Sequence, residues 1–145
     1  MVYFKRRRLL CLKNEESLSL YTIRAKHQFE SYYIYKVTYS IYFDNDMRIG
    51  FGNFAKNNGR LKEKDSVGIT SEGLFIDGTK VSKNIFLDKS NKEIIFIINL
   101  KEKVFELFID GKYVNKFNFN LDNIYGLAAF RRGSLRIKTF RAVNQ

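Results

Sequence analysis

The chain has 145 residues, of which 45% are hydrophobic and 16% aromatic, and its formal net charge is +11. This length and apolar content fit one folded domain and exclude a wholly disordered chain. With a single cysteine, Cys11, and a single histidine, His27, the sequence excludes an intrachain disulfide, and we expect neither a metal site nor a cofactor.

The N-terminal segment is basic and reads MVYFKRRRLLCLKN. The apolar run that follows its arginines, Leu9–Leu12, is shorter than the roughly 7–15 residues of a signal peptide core. No stretch approaches the ~18 apolar residues that span a bilayer. We therefore expect an intracellular protein that does not enter membranes, located in the cytoplasm or alternatively in the nucleus. A short helix is predicted around residues 24–30.

Strict alternation begins after residue 31, where Tyr33, Tyr35, Val37, Tyr39, Ile41 and Phe43 fall on one face. Period two is typical of a long strand with one face on a core. Further strands are predicted at Met47–Phe51, Ser66–Thr70, Leu74–Ile76, Thr79–Val81, 94–100, Val104–Ile109, Lys112–Phe117, Ile124–Phe130 and Ser134–Phe140. Residues 53–64 are polar around Asn57-Asn58-Gly59 and are predicted to form a loop.

Two features define the middle of the chain. Residues 94–100, IIFIINL, are almost wholly apolar and predict a strand that is buried on both faces. Asp77-Gly78 and Asp110-Gly111 are strong signals for tight hairpins. Many short strands with frequent turns predict an all-β fold, either an antiparallel β-sandwich or a barrel, formed by residues 1–145 as one domain. Residues 1–29 are predicted to form basic N-terminal strands that pack on a core at 30–141.

Catalytic motifs are weak. Gly50-Phe51-Gly52 lies on a strand with no helix after it, so it fails the structural test for a nucleotide-binding loop. His27 would be the only base available to a nucleophile, and Cys11 is expected to be a small core residue. We expect no enzymatic activity that depends on either residue.

The positive charge is concentrated at the two ends. Residues 1–29 carry seven basic and two acidic side chains, and residues 131–145 carry five basic side chains and no acid. Residues 30–130 carry 14 basic and 13 acidic groups. If the two ends meet in space, they form one basic patch for phosphates or an acidic protein surface. The predicted members are Lys5, Arg6, Arg7, Arg8, Arg131, Arg132, Arg136, Lys138 and Arg141.

From about Tyr32 onward, the order of strands and turns resembles a SPRY domain. The segments that carry the likeness are YYIYKVTYSIYFDNDMRIGFGNF, DSVGITSEGLFIDGTKV, IIFIINLKEKVFELFIDGKYV and IYGLAAFRRGSLRIKTF. The chain departs from that family in having no Trp, in Gly126 where Pro follows the tyrosine, and in Phe96 where Gly is usual. The resemblance implies a bent, concanavalin-like jelly roll, with a galectin-like or laminin-G-like sandwich as the alternative fold.

The resemblance also implies a non-catalytic module, or an accessory subunit of an assembly, that grips a protein partner with loops at one rim. The candidate contact residues in those loops are Asn53, Phe54, Lys56, Asn57, Asn58, Arg60, Asp77 and Asp110. Two other functions stay open. One is an RNA- or ribosome-associated factor that binds through the basic ends, and the other is a carbohydrate-binding sandwich.

Overall fold

Strands make up most of the chain. The structure, a computed structural model, describes residues 2–4, 10–14, 21–25, 27–31, 33–45, 47–85, 91–130 and 132–143. For residues 2–4, 10–14, 21–22, 42–45, 91, 130 and 132–140 the description is of the backbone. The elements in chain order are β1 (Val2–Phe4), β2 (Leu10–Asn14), β3 (Tyr21–Ala25), β4 (Ile34–Asn45), β5 (Arg48–Asn53), α1 (Phe54–Asn57), β6 (Ser66–Thr70), β7 (Gly73–Ile76), β8 (Thr79–Ser82), β9 (Asn91–Asn99), β10 (Val104–Ile109), β11 (Lys112–Asn118), β12 (Ile124–Phe130) and β13 (Arg132–Val143).

These strands form two sheets, which confirms the predicted β-sandwich. One sheet has seven strands in the order β1-β3-β12-β5-β6-β7-β8, and the other has six in the order β11-β10-β9-β4-β13-β2. Neighbouring strands are antiparallel except for β1 and β3, which are parallel. The two sheets form the jelly roll that the resemblance implied.

Aromatic side chains fill the space between the sheets. Phe51 of the seven-stranded sheet meets Phe96 and Phe105 of the six-stranded sheet edge-on, with ring centroids 5.7 and 5.4 Å apart. Phe119 adds a fourth ring 5.2 Å from Phe51. Edge-to-face pairs at these distances stabilise a core beyond the area that they bury.

Tyr39 links the two sheets through its hydroxyl. The residue belongs to β4 and is fully buried, and its hydroxyl lies 3.2 Å from the carbonyl oxygens of Gly50 and of Leu127. These two carbonyls lie on neighbouring strands of the opposite sheet. Burial raises the pKa of the Tyr39 phenol far above its usual value, because a phenolate there would lose its hydration.

The helix predicted around residues 24–30 is wrong. Residues 21–25 form β3, in which Ile23 and Ala25 are buried while Arg24 lies on the opposite face. This alternation with period two, together with pairing to β12, favours a strand over a helix. Residues 27–31 contain no helical turn, and the Phe29 N–H donates to the Ile124 carbonyl at 2.7 Å.

The prediction that residues 94–100 are buried on both faces is also wrong. Ile94, Phe96 and Ile98 of β9 are buried between the sheets, but Ile95 and Ile97 are part-exposed on the outer face. Strand β9 pairs with β4 on one side and with β10 on the other, so its backbone is hydrogen-bonded along both edges. The side chains on its outer face nevertheless stay in partial contact with solvent. A purely apolar run therefore marks a central strand here without marking two-sided burial.

Both Asp-Gly hairpins are confirmed. Asp77 (φ 50°) and Gly78 (φ 84°) connect β7 to β8, while Asp110 (φ 50°) and Gly111 (φ 79°) connect β10 to β11. Positive φ at both central residues is the geometry that a tight hairpin turn requires.

Candidate functional site

One end of the sandwich carries a cavity of about 680 Å³ between the edges of the two sheets. We call it the rim cavity and its border the rim. The described residues that line it are Gln28, Phe29, Glu30, Ser31, Leu100, Lys103, Leu121, Asp122, Asn123 and Ile124. Four of these, Phe29, Leu100, Leu121 and Ile124, are buried apolar residues that form the floor, while the six polar residues surround the mouth. The volume lies within the range of ligand-binding clefts.

The first wall, residues 28–31, is held by the core beneath it. The Phe29 ring stacks on the Tyr35 ring at a centroid distance of 4.3 Å and an interplanar angle of 18°. The Glu30 N–H donates to the Tyr35 hydroxyl at 3.0 Å, and the Glu30 carbonyl accepts from the Tyr33 N–H at 3.2 Å. These contacts within the chain fix the position of the wall.

The second wall combines the β9–β10 turn with residues 119–123. The Lys103 ammonium lies 3.0 Å from Asn120 Oδ1 and 3.2 Å from Asp122 Oδ1. The Lys103 carbonyl accepts from the Phe119 N–H at 3.0 Å. Across the mouth, Gln28 Nε2 donates to Asn123 Oδ1 at 3.2 Å, which ties the two walls together.

The charges at the mouth do not balance. Among the described lining residues are two carboxylates, Glu30 and Asp122, and one ammonium, Lys103. Asp122 is ion-paired with Lys103, whereas the exposed Glu30 carboxylate makes no ion pair or side-chain hydrogen bond with any residue in the described ranges. The rim cavity is therefore locally acidic in a chain whose net charge is +11.

Next to the rim cavity begins the segment that was predicted as a loop, residues 53–64. Asn53 pairs with Ile124 in the sheet, so the start of this segment adjoins the cavity. It is not wholly irregular, because α1 spans Phe54–Asn57 with Asn53 as its N-cap, whose side chain accepts from the Lys56 N–H at 3.2 Å. Asn58 ends the helix in the left-handed conformation at φ 56°.

Beyond α1 the segment folds back over the outer face of the seven-stranded sheet. Leu61 is fully buried there, outside the core between the sheets. It lies directly on Gly68 of β6, where an added Cβ would come within 2.7 Å of the Leu61 Cβ and still closer to the Leu61 carbonyl oxygen. The approach is possible because residue 68 has no side chain.

Polar contacts also hold this part of the segment against the seven-stranded sheet. Lys62 forms an ion pair with Glu72 at 2.5 Å, and this hydrogen bond and charge lower the pKa of the Glu72 carboxyl. The Arg48 guanidinium donates to the Arg60 carbonyl at 2.8 Å. The segment is thus anchored at several points across the sheet.

Asn57 is the internal staple of this segment. It is only 3% exposed. Its amide nitrogen lies 2.7 Å from the Lys64 carbonyl and 3.2 Å from Ser66 Oγ, and its carbonyl oxygen accepts from the Leu61 N–H at 3.1 Å. All three contacts are within the molecule, so the Asn57 side chain shapes the segment from inside.

The predicted contact residues thus divide by exposure. Asn53 and Asn57 are buried. Phe54 is part-exposed, with the Arg24 guanidinium 5.1 Å from its ring centroid. The exposed members are Lys56, Asn58, Arg60, Asp77 and Asp110.

The structure brings Asp77, but not Asp110, to the segment at 53–64. Asp77 Oδ1 accepts from the Asp65 N–H at 2.7 Å, at the end of the sandwich that holds the rim cavity. Asp110 Oδ1 accepts from the Glu93 N–H at 2.9 Å, at the far end of β9 and β10. The two hairpins are therefore at opposite ends of the molecule.

The predicted basic patch falls largely outside the described residues. Lys5, Arg6, Arg7, Arg8 and Arg131 lie outside them, and only the backbone is described for Arg132, Arg136 and Lys138. Arg141 is exposed. At the backbone level β2 pairs with β13, with Leu10 opposite Ile137. The patch itself stays a prediction.

No group of three or more His, Cys, Asp or Glu side chains among the described residues could hold a metal ion. In that part of the chain, no helix has the length and apolarity to cross a bilayer. His27 is exposed next to the rim cavity and does not line it, and the Cys11 side chain is outside the description.

Sequence reasoning missed the rim cavity. Its walls come from three segments that are far apart in the chain, and no local motif marks them. The available signal was slight: residues 119–123, FNLDN, alternate apolar and polar without forming a strand.

Comparison with known proteins supports the fold. Neither a protein-family model nor a characterised sequence matches the chain. The SPRY domain of human HERC1 is similar over 89% of this chain and 92% of its own, with a TM-score of 0.68 and 12% identity. The PSpry domain of TRIM65 matches over 86% and 71%, with a TM-score of 0.56 and 10% identity. The carbohydrate recognition domain of Emp47p matches over 95% and 89%, with a TM-score of 0.54 and 10% identity. At these identities the likeness shows a shared fold and no shared function.

Proposed function

We propose that this domain is a non-catalytic module that binds a protein partner at the rim, as a subunit or accessory factor of a larger assembly. The observation that carries the proposal is the rim cavity, with its buried apolar floor and its polar mouth. Such a cavity accepts an apolar anchor side chain, while the surrounding polar groups contact the backbone of the partner. The SPRY-type fold is in keeping with this function.

The rigidity of the walls supports the proposal. Stacking of Phe29 on Tyr35 and the Gln28–Asn123 bridge hold the cavity open without a partner. A preformed site loses little conformational entropy on binding, so more of the contact energy appears as affinity. The exposed Lys56 and Asn58 of the adjoining segment extend the surface beside the cavity.

The lining residues favour binding over catalysis. Among the described lining residues the only hydroxyl is that of Ser31, and none is a histidine. A nucleophile needs a hydrogen-bonded base. The described lining also disfavours a carbohydrate site, because the one aromatic ring in it, Phe29, is 4% exposed and stacked on Tyr35 rather than offered to a sugar.

A cavity-filling substitution tests the proposal. Peptides would be selected on the wild-type protein from a random phage-displayed library, and their affinities remeasured for Ser31→Trp. Ser31 is exposed at the mouth, so an indole there occupies the cavity without disturbing the core. We expect an affinity loss of roughly thirty-fold, as for removal of a hot-spot contact.

The matched control is Lys112→Trp, which adds the same side chain at an exposed position beside the opposite hairpin. It should leave the affinity unchanged, and circular dichroism should show both variants folded. If the peptides bind Ser31→Trp with the same affinity as wild type, the rim cavity is not the binding site. If only Lys112→Trp loses peptide affinity, the binding site lies instead at the end of the molecule that carries Asp110.

A further inference from the structure

We infer that the rim cavity selects a basic partner segment, one in which an apolar anchor residue stands next to a lysine or arginine that pairs with Glu30. This inference rests on the proposed function and adds the chemistry of the partner to it. It depends on which polar groups at the mouth are already satisfied within the protein.

Glu30 differs from its neighbours in this respect. Lys103 is held by Asn120 and Asp122, and Gln28 and Asn123 bond to each other. The backbone of Glu30 is bound on both sides, to Tyr35 and Tyr33, while its carboxylate is exposed and has no ion pair with a described residue. The wall thus presents a fixed Cα position with an anionic group that no described residue pairs.

The location of Glu30 sets the spacing of the partner. Glu30 directly follows Phe29, whose ring forms part of the cavity floor. A partner side chain that reaches this floor therefore places its neighbouring residues within reach of the carboxylate. Arginine suits this position best, because its guanidinium pairs with a carboxylate through two parallel hydrogen bonds.

The charge of the rest of the protein does not prevent this selection. The chain is strongly basic, but at physiological ionic strength the screening length is about 8 Å, so contacts at the mouth outweigh distant charges. The net charge of the described lining residues, two carboxylates and one ammonium, favours a cation. An acidic segment would meet Glu30 and Asp122 instead.

Charge reversal at Glu30 tests the inference. The random peptide library would be selected separately on wild type, Glu30→Lys and Glu106→Lys; Glu106 lies on β10 outside the cavity lining and controls for the change in net charge. Wild type and Glu106→Lys should enrich an apolar residue next to Arg or Lys, and Glu30→Lys should enrich Asp or Glu at that position. The strongest wild-type peptide should bind Glu30→Lys about ten-fold more weakly, because an exposed attraction worth a few-fold in affinity becomes a repulsion of similar size.

The remaining outcomes separate this inference from the function on which it rests. Peptides that lose affinity for Ser31→Trp but show the same charge preference on wild type and Glu30→Lys would overturn the selection by Glu30 and leave the rim as the binding site. Peptides that bind Ser31→Trp undiminished would overturn both. Charge preference that changes equally in Glu106→Lys would reflect net charge alone and would also overturn the inference.

Discussion

At the scale of single residues, buried polar side chains connect separate parts of this protein through hydrogen bonds. Asn57 and Tyr39 are both buried. The side chain of each lies within hydrogen-bond distance of backbone groups from two places in the chain. Buried polar groups of this kind are costly to disrupt, because removing one partner leaves the other without a hydrogen bond. Both residues therefore give sharp predictions.

Asn57→Ala should lower the free energy of unfolding by about 2 kcal/mol, since it leaves the buried Leu61 N–H and the Lys64 carbonyl unpaired. Urea denaturation measures the change. The control is Asn58→Gly at the neighbouring left-handed position, which should cost close to nothing because glycine adopts positive φ freely. Equal effects of the two substitutions would contradict a stapling role for Asn57.

Tyr39→Phe should alter how stability depends on alkaline pH. The pKa of Tyr39 is raised in the folded state, so the unfolded chain loses this proton first, at its ordinary pKa of about 10. Stability from this group is therefore complete below pH ~10 and falls above it, by up to about 1.4 kcal/mol per pH unit. Tyr39→Phe should cost about 1 kcal/mol at neutral pH, and its deficit should shrink as the pH rises.

Denaturation curves between neutral pH and pH ~11 would measure this difference. Tyr113→Phe is the control for loss of a phenol at the surface, since Tyr113 is 52% exposed. A deficit of Tyr39→Phe that stays constant up to the highest pH would contradict the assignment.

At the scale of elements, the local sequence pattern predicts where the strands are, but it does not predict how the segments pack against one another. Alternation at Tyr35, Val37, Tyr39 and Ile41 and the two Asp-Gly turns predicted β4 and both hairpins, because period two and positive φ are local properties. The fold-back of residues 58–65 escaped prediction. It depends on Leu61 meeting Gly68 across a sheet, and neither residue signals the other in the sequence.

Gly68→Ala should lift this fold-back from the sheet. The new Cβ would clash with backbone and side chain of Leu61, and overpacking of this kind costs about 1–3 kcal/mol. Trypsin should then cleave after Arg60, Lys62 or Lys64 faster than in wild type. Gly111→Ala, where the added Cβ meets nothing within 4 Å but φ is +79°, should destabilise without changing cleavage there.

Phe96→Ala should lower the free energy of unfolding by about 3–5 kcal/mol, because Phe96 is fully buried against Tyr39, Phe51 and Phe105. Ile97→Ala, the next residue on the part-exposed outer face of β9, should cost about 1 kcal/mol. Chemical denaturation compares the two. Similar losses would mean that β9 is buried on both faces after all.

At the scale of the whole molecule, the distribution of charge separates two binding hypotheses. The rim cavity is locally acidic, while the excess positive charge is carried by residues 1–29 and 131–145. Strand β2, which follows Lys5–Arg8 in the chain, runs alongside β13, which carries Arg132 and Arg136. Composition alone indicated the basic ends, but the acidic cavity required three distant segments to be brought together.

The prediction for the basic ends is binding of structured RNA or another acidic partner. The affinity of RNA should fall by roughly 0.7–0.9 log units per phosphate contact for each tenfold rise in salt. Replacing Arg131, Arg132 and Arg136 together by Ala should weaken binding and flatten this slope, because guanidinium groups contact phosphate through two hydrogen bonds. Titration of RNA against wild type and the triple variant at two salt concentrations would test this prediction. Equal RNA affinities of the two proteins would mean that these arginines form only a solvated surface.

The pairing of β4 with β13 also bears on how the chain is made. Ile34 pairs with Val143 and Phe43 with Gly133, so one whole edge of β4 is completed by the strand that leaves the ribosome last among those described. Likewise β3 and β5 stay apart until β12 emerges and inserts between them. Domains dominated by such distant pairings fold in milliseconds to seconds, and unpaired edges are exposed in the meantime. During translation, therefore, the edge of β4 that pairs with β13 stays open from the synthesis of Ile34–Asn45 until Arg132–Val143 follows, and a chaperone that shields this edge would act in that interval.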